Sequence, residues 1–257
     1  MGTIVIPTGG AYFEGHFPER PILSGVLELE LVIKTLTREA PRPVIPRGIA
    51  FVRLRQLVLP GDRLALTTRE LADGHLRFDL RREGVLVTNG EFILGPPHKP
   101  YQMPVSLAEF AFPMPAPSLD ALLPQRPPMR LVTAILNATE DGILCSACIP
   151  AKCPFVFSGS APALAGLEVA AQAAAAWEAI RRWCEVGIAT PRIGYLVALR
   201  DVVLFAERLP IDQSLLTAVR IEATAPPLTH YRVEVSLGGL PIVIGTIATF
   251  LAAEGGN

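Results

Sequence analysis

The chain has 257 residues, half of them hydrophobic and 18% charged, enough apolar material to bury one large core or two smaller ones without disulfide or metal support. That composition excludes intrinsic disorder as the main state. The balance of 23 Lys plus Arg against 24 Asp plus Glu, a formal net charge of −1, excludes the basic footprint of a nucleic-acid binder.

The N-terminus, MGTIVIPTGGAYF, has no basic n-region and no apolar run leading to a small-residue cleavage site, so the expected compartment is the cytoplasm. Next comes His16, in a loop bounded by Gly15, Pro18 and Pro21, and the chain then enters a helix at Ser24, whose hydroxyl can cap it, with Gly25 in the first turn. An imidazole close in sequence to free helical N–H groups can supply a base and an oxyanion donor, and the same residues also fit a solvated loop histidine. The helix VLELELVIKTL carries Glu30. After it, LVLPGDRL and HLRFDLRREGVLVTNGEFIL read as strands joined by Gly, Pro and Asp turns, with the alternation of a half-buried antiparallel sheet.

Ten of the 25 prolines fall between Pro96 and Pro128, in a stretch with no sustained period. This is expected to be a connecting arm, with residues 100–118 as linker between domains at 1–99 and 119–257. Past the linker the order repeats: a helix with an LE pair (LAGLEVAAQAAAAW, Glu168), a proline turn (ERLPIDQSL) and strands beginning at His230 (HYRVEVSLGGLPIVIGTIATFL). Each half is thus an α+β unit, for which one antiparallel sheet wrapped around one helix is the simplest packing. The alanines at 170, 171 and 173–176 let the second helix sit close inside a curved sheet, and the two halves should pack as an intramolecular pseudo-dimer. The stretch 161–177 is alanine-rich and holds Glu168 and Gln172, so no membrane span is expected.

All four cysteines, Cys145, Cys148, Cys153 and Cys184, lie in the second half. The C-x-x-C of Cys145 and Cys148 has neither a second ligand pair nor a strand-to-helix turn, so it reads as packing in a strand. With no metal-ligand spacing and no glycine-rich phosphate loop, no metal and no cofactor are expected.

The run GHFPERPILSGVLELE, Gly15 to Glu30, resembles the signature of the hot-dog-fold β-hydroxyacyl-acyl-carrier-protein dehydratases of fatty-acid synthesis and their relatives in aryl-polyene and polyketide pathways, with Ser24 where a proline is usual. PGD at Pro60 to Asp62 is similar to a family turn. In the second half, LLPQRPPMRLV (Leu122 to Val132) is similar to the family's LPHRPPFLLVD-type lead-in, with Gln125 replacing histidine, and GLEVAAQAAAA is similar to a family helix. The resemblance therefore implies a double hot-dog fold. It implies dehydration of a 3-hydroxyacyl thioester to the trans-2-enoyl thioester, with a histidine removing the C2 proton, a carboxylate protonating the leaving hydroxyl and a helix-start N–H holding the thioester oxygen. Carried over, these are His16, Glu30 or Glu168, and Gly25.

Local neighbours favour Glu168 as the acid. Lys34, four residues after Glu30, is expected to keep that carboxylate ionised, whereas Leu164, Ala165, Ala171 and Gln172 around Glu168 should desolvate it and raise its pKa. Copy two has no histidine before its helix; Cys153 stands near that place. One composite site is therefore expected, with Glu30 and Cys153 as the remnant of a second. Phe17, Gln172, Phe155, Leu167 and Val169 are candidates to line an acyl tunnel. Arg53, Arg55, Arg181 and Arg182 are candidates to dock an acidic acyl carrier protein, with acyl-CoA as the other thioester source. Other readings on the same fold are an enoyl-thioester hydratase, a thioesterase, or a non-catalytic acyl-binding subunit that pairs with another hot-dog chain; homo- and hetero-oligomers both remain open.

Overall fold

A computed structural model of the protein describes residues 2–101, 117–187 and 189–251. Most of the expected linker, 102–116, lies outside the described residues.

The first half comprises β1 (Gly2–Val5), α1 (Gly25–Glu39), β2 (Pro46–Leu54), β3 (Arg63–Glu70), β4 (His75–Arg82) and β5 (Val85–Leu94). The second comprises the short α2 (Leu119–Leu122), β6 (Val132–Thr139), β7 (Gly142–Ala147), β8 (Ser160–Pro162), α3 (Ala165–Val186), β9 (Gly194–Leu204), β10 (Arg208–Pro210), β11 (Leu215–Ala225), β12 (Leu228–Leu237) and β13 (Leu240–Leu251). The two halves have the tandem hot-dog arrangement, a helix packed against a sheet in each.

The strands alternate as the sequence pattern requires. In β4, Leu76, Phe78 and Leu80 are buried while Arg77 faces out, and Phe78 stacks on Phe92 of β5 with centroids 4.9 Å apart. In β12, Tyr231, Val233 and Val235 point inward, and Tyr231 meets the edge of Trp177 on α3. Trp177 also donates its indole N–H to the Thr139 carbonyl at 2.9 Å, which fixes the helix against β6. Burial on nearly every side of α1 and α3 is what a helix wrapped by a sheet must show.

The two sheets join edge to edge. Antiparallel pairing of β2 with β9, from Gly48 opposite Val203 to Arg53 opposite Ala198, makes one eleven-stranded sheet in the order β1-β3-β4-β5-β2-β9-β13-β12-β11-β7-β6. Gly48 allows the junction, because a Cβ there would meet the Val202 carbonyl oxygen at 2.5 Å. The two helices touch, and the start of α1 comes close to the first turn of α3, where Ser24 meets Glu168. No helix among the described residues is long and apolar enough to cross a membrane.

Candidate active site

The loop before α1 is tied down at several points. The Leu23 N–H donates to the Val58 carbonyl at 2.9 Å, and the turn beyond Val58 is itself held by Asp62, which accepts from the Leu59 N–H at 2.8 Å and from Arg82 at 2.7 Å. This is the structural use of the PGD turn. At the other end, Gly15 adopts φ +76° and its carbonyl accepts the Arg126 N–H at 2.8 Å. A Cβ on Gly15 would stand 2.1 Å from the Arg126 carbonyl oxygen, so the GHFP loop and the second half's QRPP segment pack backbone to backbone.

His16 is thereby held in place with 8% exposure. Its Nδ1 lies 2.8 Å from the Ile22 carbonyl, which can only accept, so Nδ1 carries the proton and Nε2 is the basic nitrogen. The ring also rests on Phe17, centroids 4.1 Å apart.

Glu168, in the first turn of α3, is 4% exposed. Of the surroundings expected for it, small apolar groups and the Gln172 amide, the amide is in contact, and a hydroxyl from the other half joins it. Ser24 donates its hydroxyl to Glu168 Oε2 at 2.7 Å, and Gln172 donates Nε2 to Oε1 at 3.0 Å. Ser24 therefore does not cap α1 with its side chain; the hydroxyl reaches across to the other half. Gln172, expected in the tunnel wall, is wholly buried and absent from the cavity lining. Its Nε2 also donates to the Met129 carbonyl and its Oε1 accepts the Leu131 N–H, both at 2.8 Å, an assignment with no alternative because those backbone groups have one role each. The segment 125–131 thus holds both the His16 loop and the Glu168 helix.

His16, Glu168, Gly25 and Phe17 line one cavity of about 610 Å³. As the first residue of α1, Gly25 has no intrahelical carbonyl for its N–H, leaving a donor near the carboxylate that Ser24 holds. From α3 the apolar part of the wall is made by Ala171, Ala175 and Ala179; Leu167, Val169 and Phe155 are instead packed in the core and do not line the cavity. Arg55, Arg181 and Arg182 line the cavity, joined by Arg192, and Arg53 does not. Gln125, which stands where the resembling family has a histidine, also lines the cavity, and two further lining residues had little signal in the sequence: Tyr195, which receives a hydrogen bond from Arg20 at 3.2 Å, and Glu28. Glu28 is spaced three residues from Gly25, one turn along the same face, which is the only sequence pointer to it.

The pseudo-equivalent place holds a smaller cavity of about 390 Å³, lined by Glu30, Lys34, Leu164 and Arg208 among others. Lys34 and Glu30 form the expected i,i+4 ion pair at 3.9 Å, but in a partly buried setting where burial raises the Glu30 pKa in spite of Lys34 and Arg208. Burial likewise brings Lys34 down to about 8. Cys153 does not line this cavity; it is buried in the core with its thiol pushed up to about 12 by burial, an unreactive state. Cys145 is buried in β7 as a packing residue, and all four cysteines are free. His75 pairs with Glu91 at 2.7 Å, a structural contact on the sheet. Among the described residues no group of three His, Cys, Asp or Glu could hold a metal ion.

Residues 117–255, more than half of the chain, match the ApeP-like model, described as ApeP dehydratase. The chain belongs to the ApeP-like dehydratase family. Residues 2–91 match a second model, ApeI-like, described as ApeI dehydratase, so one polypeptide joins an ApeI-like segment to an ApeP-like one. The 3-hydroxyacyl-(acyl-carrier-protein) dehydratase FabZ of Roseiflexus sp. (strain RS-1) is 36% identical over 92 residues, which are 33% of this chain and 59% of that protein. A trans-AT PKS dehydratase domain from Brevibacillus brevis superposes with a TM-score of 0.74 at 13% identity, over 98% of this chain and 93% of that one. The dehydratase domain of PpsC from Mycobacterium tuberculosis, solved in complex with C12:1-CoA, superposes with a TM-score of 0.64 at 13% identity, over 97% and 92%. These likenesses, at such identities, concern the double hot-dog fold.

Proposed function

We propose that this ApeP-like protein dehydrates a 3-hydroxyacyl thioester, carried by an acyl carrier protein, to the trans-2-enoyl thioester in the cytoplasm. The observation that carries the reading is the shared cavity: His16 from the ApeI-like half, Glu168 from the ApeP-like half and Gly25 at the start of α1 all line it. His16 Nε2 takes the C2 proton, the Gly25 N–H holds the thioester oxygen as negative charge builds there, and Glu168 protonates the C3 hydroxyl, which leaves as water. The cycle closes when the proton on His16 returns to Glu168.

Ser24 suits this cycle, because its hydroxyl donates to the carboxylate and accepts from the carboxylic acid. Both catalytic groups come from one chain, so this site needs no second subunit. Arg55, Arg181 and Arg182 offer cationic groups to an acidic carrier. The test is to incubate the purified chain with matched 3-hydroxyacyl thioesters of acyl carrier protein and of coenzyme A and follow the loss of water by mass. Faster loss from the carrier-protein esters, abolished by His16→Ala, is expected; hydrolysis to free thiol, or no change with any ester, would overturn the reading.

A further inference from the structure

The cavity holds a carboxyl that dehydration does not use. Glu28 lies one turn beyond Gly25 on α1, a rise of about 4.5 Å along the helix, and shares the cavity lining with the apolar Leu23, Leu54 and Val58. It is 3% exposed, and its Oε1 has no hydrogen-bond partner. Burial brings its pKa up to about 7, tempered by the nearby Thr88 hydroxyl, whose own oxygen makes no hydrogen bond of good geometry either. A buried polar oxygen left unpaired is costly, and a leucine in its place would continue the apolar wall without that cost. The chain keeps a hydrogen-bonding group where an unsubstituted alkyl chain has nothing to offer it.

Resting on the dehydratase reading above, we infer that Glu28 is a specificity determinant, and that the cavity takes acyl chains carrying a hydroxyl beyond C3, which Glu28 Oε1 accepts as a hydrogen bond. An alkyl chain entering the same space strands the carboxyl oxygen and discards whatever water served it. A hydroxylated chain satisfies it. Discrimination by a buried acceptor of this kind exceeds what the shape of an apolar wall can give.

The experiment compares two 3-hydroxyacyl carrier-protein thioesters of equal length, one alkyl and one with a terminal hydroxyl, on wild type, Glu28→Leu and Glu28→Gln. Wild type is expected to prefer the hydroxylated ester in kcat/KM by about tenfold or more, Glu28→Leu to prefer the alkyl ester, and Glu28→Gln, which keeps an acceptor oxygen, to retain part of the wild-type preference. An identical ratio in wild type and Glu28→Leu, or a wild-type preference for the alkyl ester, would overturn the inference. Calorimetric binding of the same two esters in the His16→Ala background, with and without Glu28→Leu, reads the preference without turnover. Equal binding in both overturns the inference, and a Glu28-dependent difference alongside an inactive wild type upholds it while removing the dehydratase reading.

Discussion

Ser24 at the head of α1 donates a hydrogen bond to Glu168 in the first turn of α3, joining at 2.7 Å two residues 144 positions apart. One hydroxyl therefore sets the carboxyl of the second half next to the helix start of the first. Ser24→Ala should lower kcat about tenfold and shift its pH profile, with KM changed much less, and Ser24→Thr should recover most of the loss. Steady-state kinetics across pH on the three proteins test this; equal kcat in wild type and the alanine variant would contradict it.

Gln172 has the larger structural burden. Gln172→Leu leaves the Glu168 carboxyl short of a donor and strands the buried Met129 carbonyl and Leu131 N–H. A loss of about 2–4 kcal/mol is expected, read as a lower urea midpoint at unchanged slope. A midpoint within error of wild type would refute the clamp.

Gly15 and Gly10 separate strain from collision. Both have positive φ, +76° and +88°, but a Cβ meets the Arg126 carbonyl at Gly15 and nothing within 4 Å at Gly10. Gly15→Ala should cut kcat/KM at least tenfold with helical circular dichroism preserved, because the His16 loop must lift from the QRPP segment; Gly10→Ala should show only modest destabilisation, about 1 kcal/mol. Similar kinetics for the two variants would show that the backbone contact does not position His16.

Glu28 makes stability depend on pH. Its folded-state pKa is raised, from an ordinary 4.5 to about 7, so its ionisation is disfavoured in the fold: the stability present below pH 4.5 is lost progressively as pH rises through 7. Glu28→Gln removes that loss. Relative to wild type, the variant should gain up to about 3 kcal/mol between pH 4.5 and pH 8, seen as a widening difference in Tm. A difference in Tm that stays constant over this range would contradict the burial of a carboxyl that must ionise.

The sequence carried the local features well. The GHFP loop, the start of α1 after Ser24, the alternation of β4 and β12 and the alanine-rich helix all follow from short-range chemistry, and they brought His16, Gly25 and Glu168 to one cavity. What it did not carry are relationships that depend on how the halves meet. Ser24 was legible as a helix cap because its natural partner in sequence is the next turn; the actual acceptor comes from α3. Gln172 and Ala171 sit on adjacent positions of one helix, and only its rotation against residues 129–131 decides that the alanine, not the glutamine, faces the cavity. Glu28 resembled any polar residue on an amphipathic helix, and only the packing of the two halves buries it and places it in the cavity lining. The merger of the two sheets through β2 and β9 rests on Gly48, a residue with no pattern around it to announce a close approach.

A composite site, with His16 from one half and Glu168 from the other, must fail when either residue is removed. Its most direct measurement follows loss of water from a 3-hydroxyacyl carrier-protein thioester by mass in wild type, His16→Ala, Glu168→Gln and Glu30→Gln. The first two variants should lose turnover by several orders of magnitude while Glu30→Gln, which alters only the smaller cavity, should keep a rate close to wild type. Turnover that survives Glu168→Gln and disappears with Glu30→Gln would contradict it and move the acid into the first half.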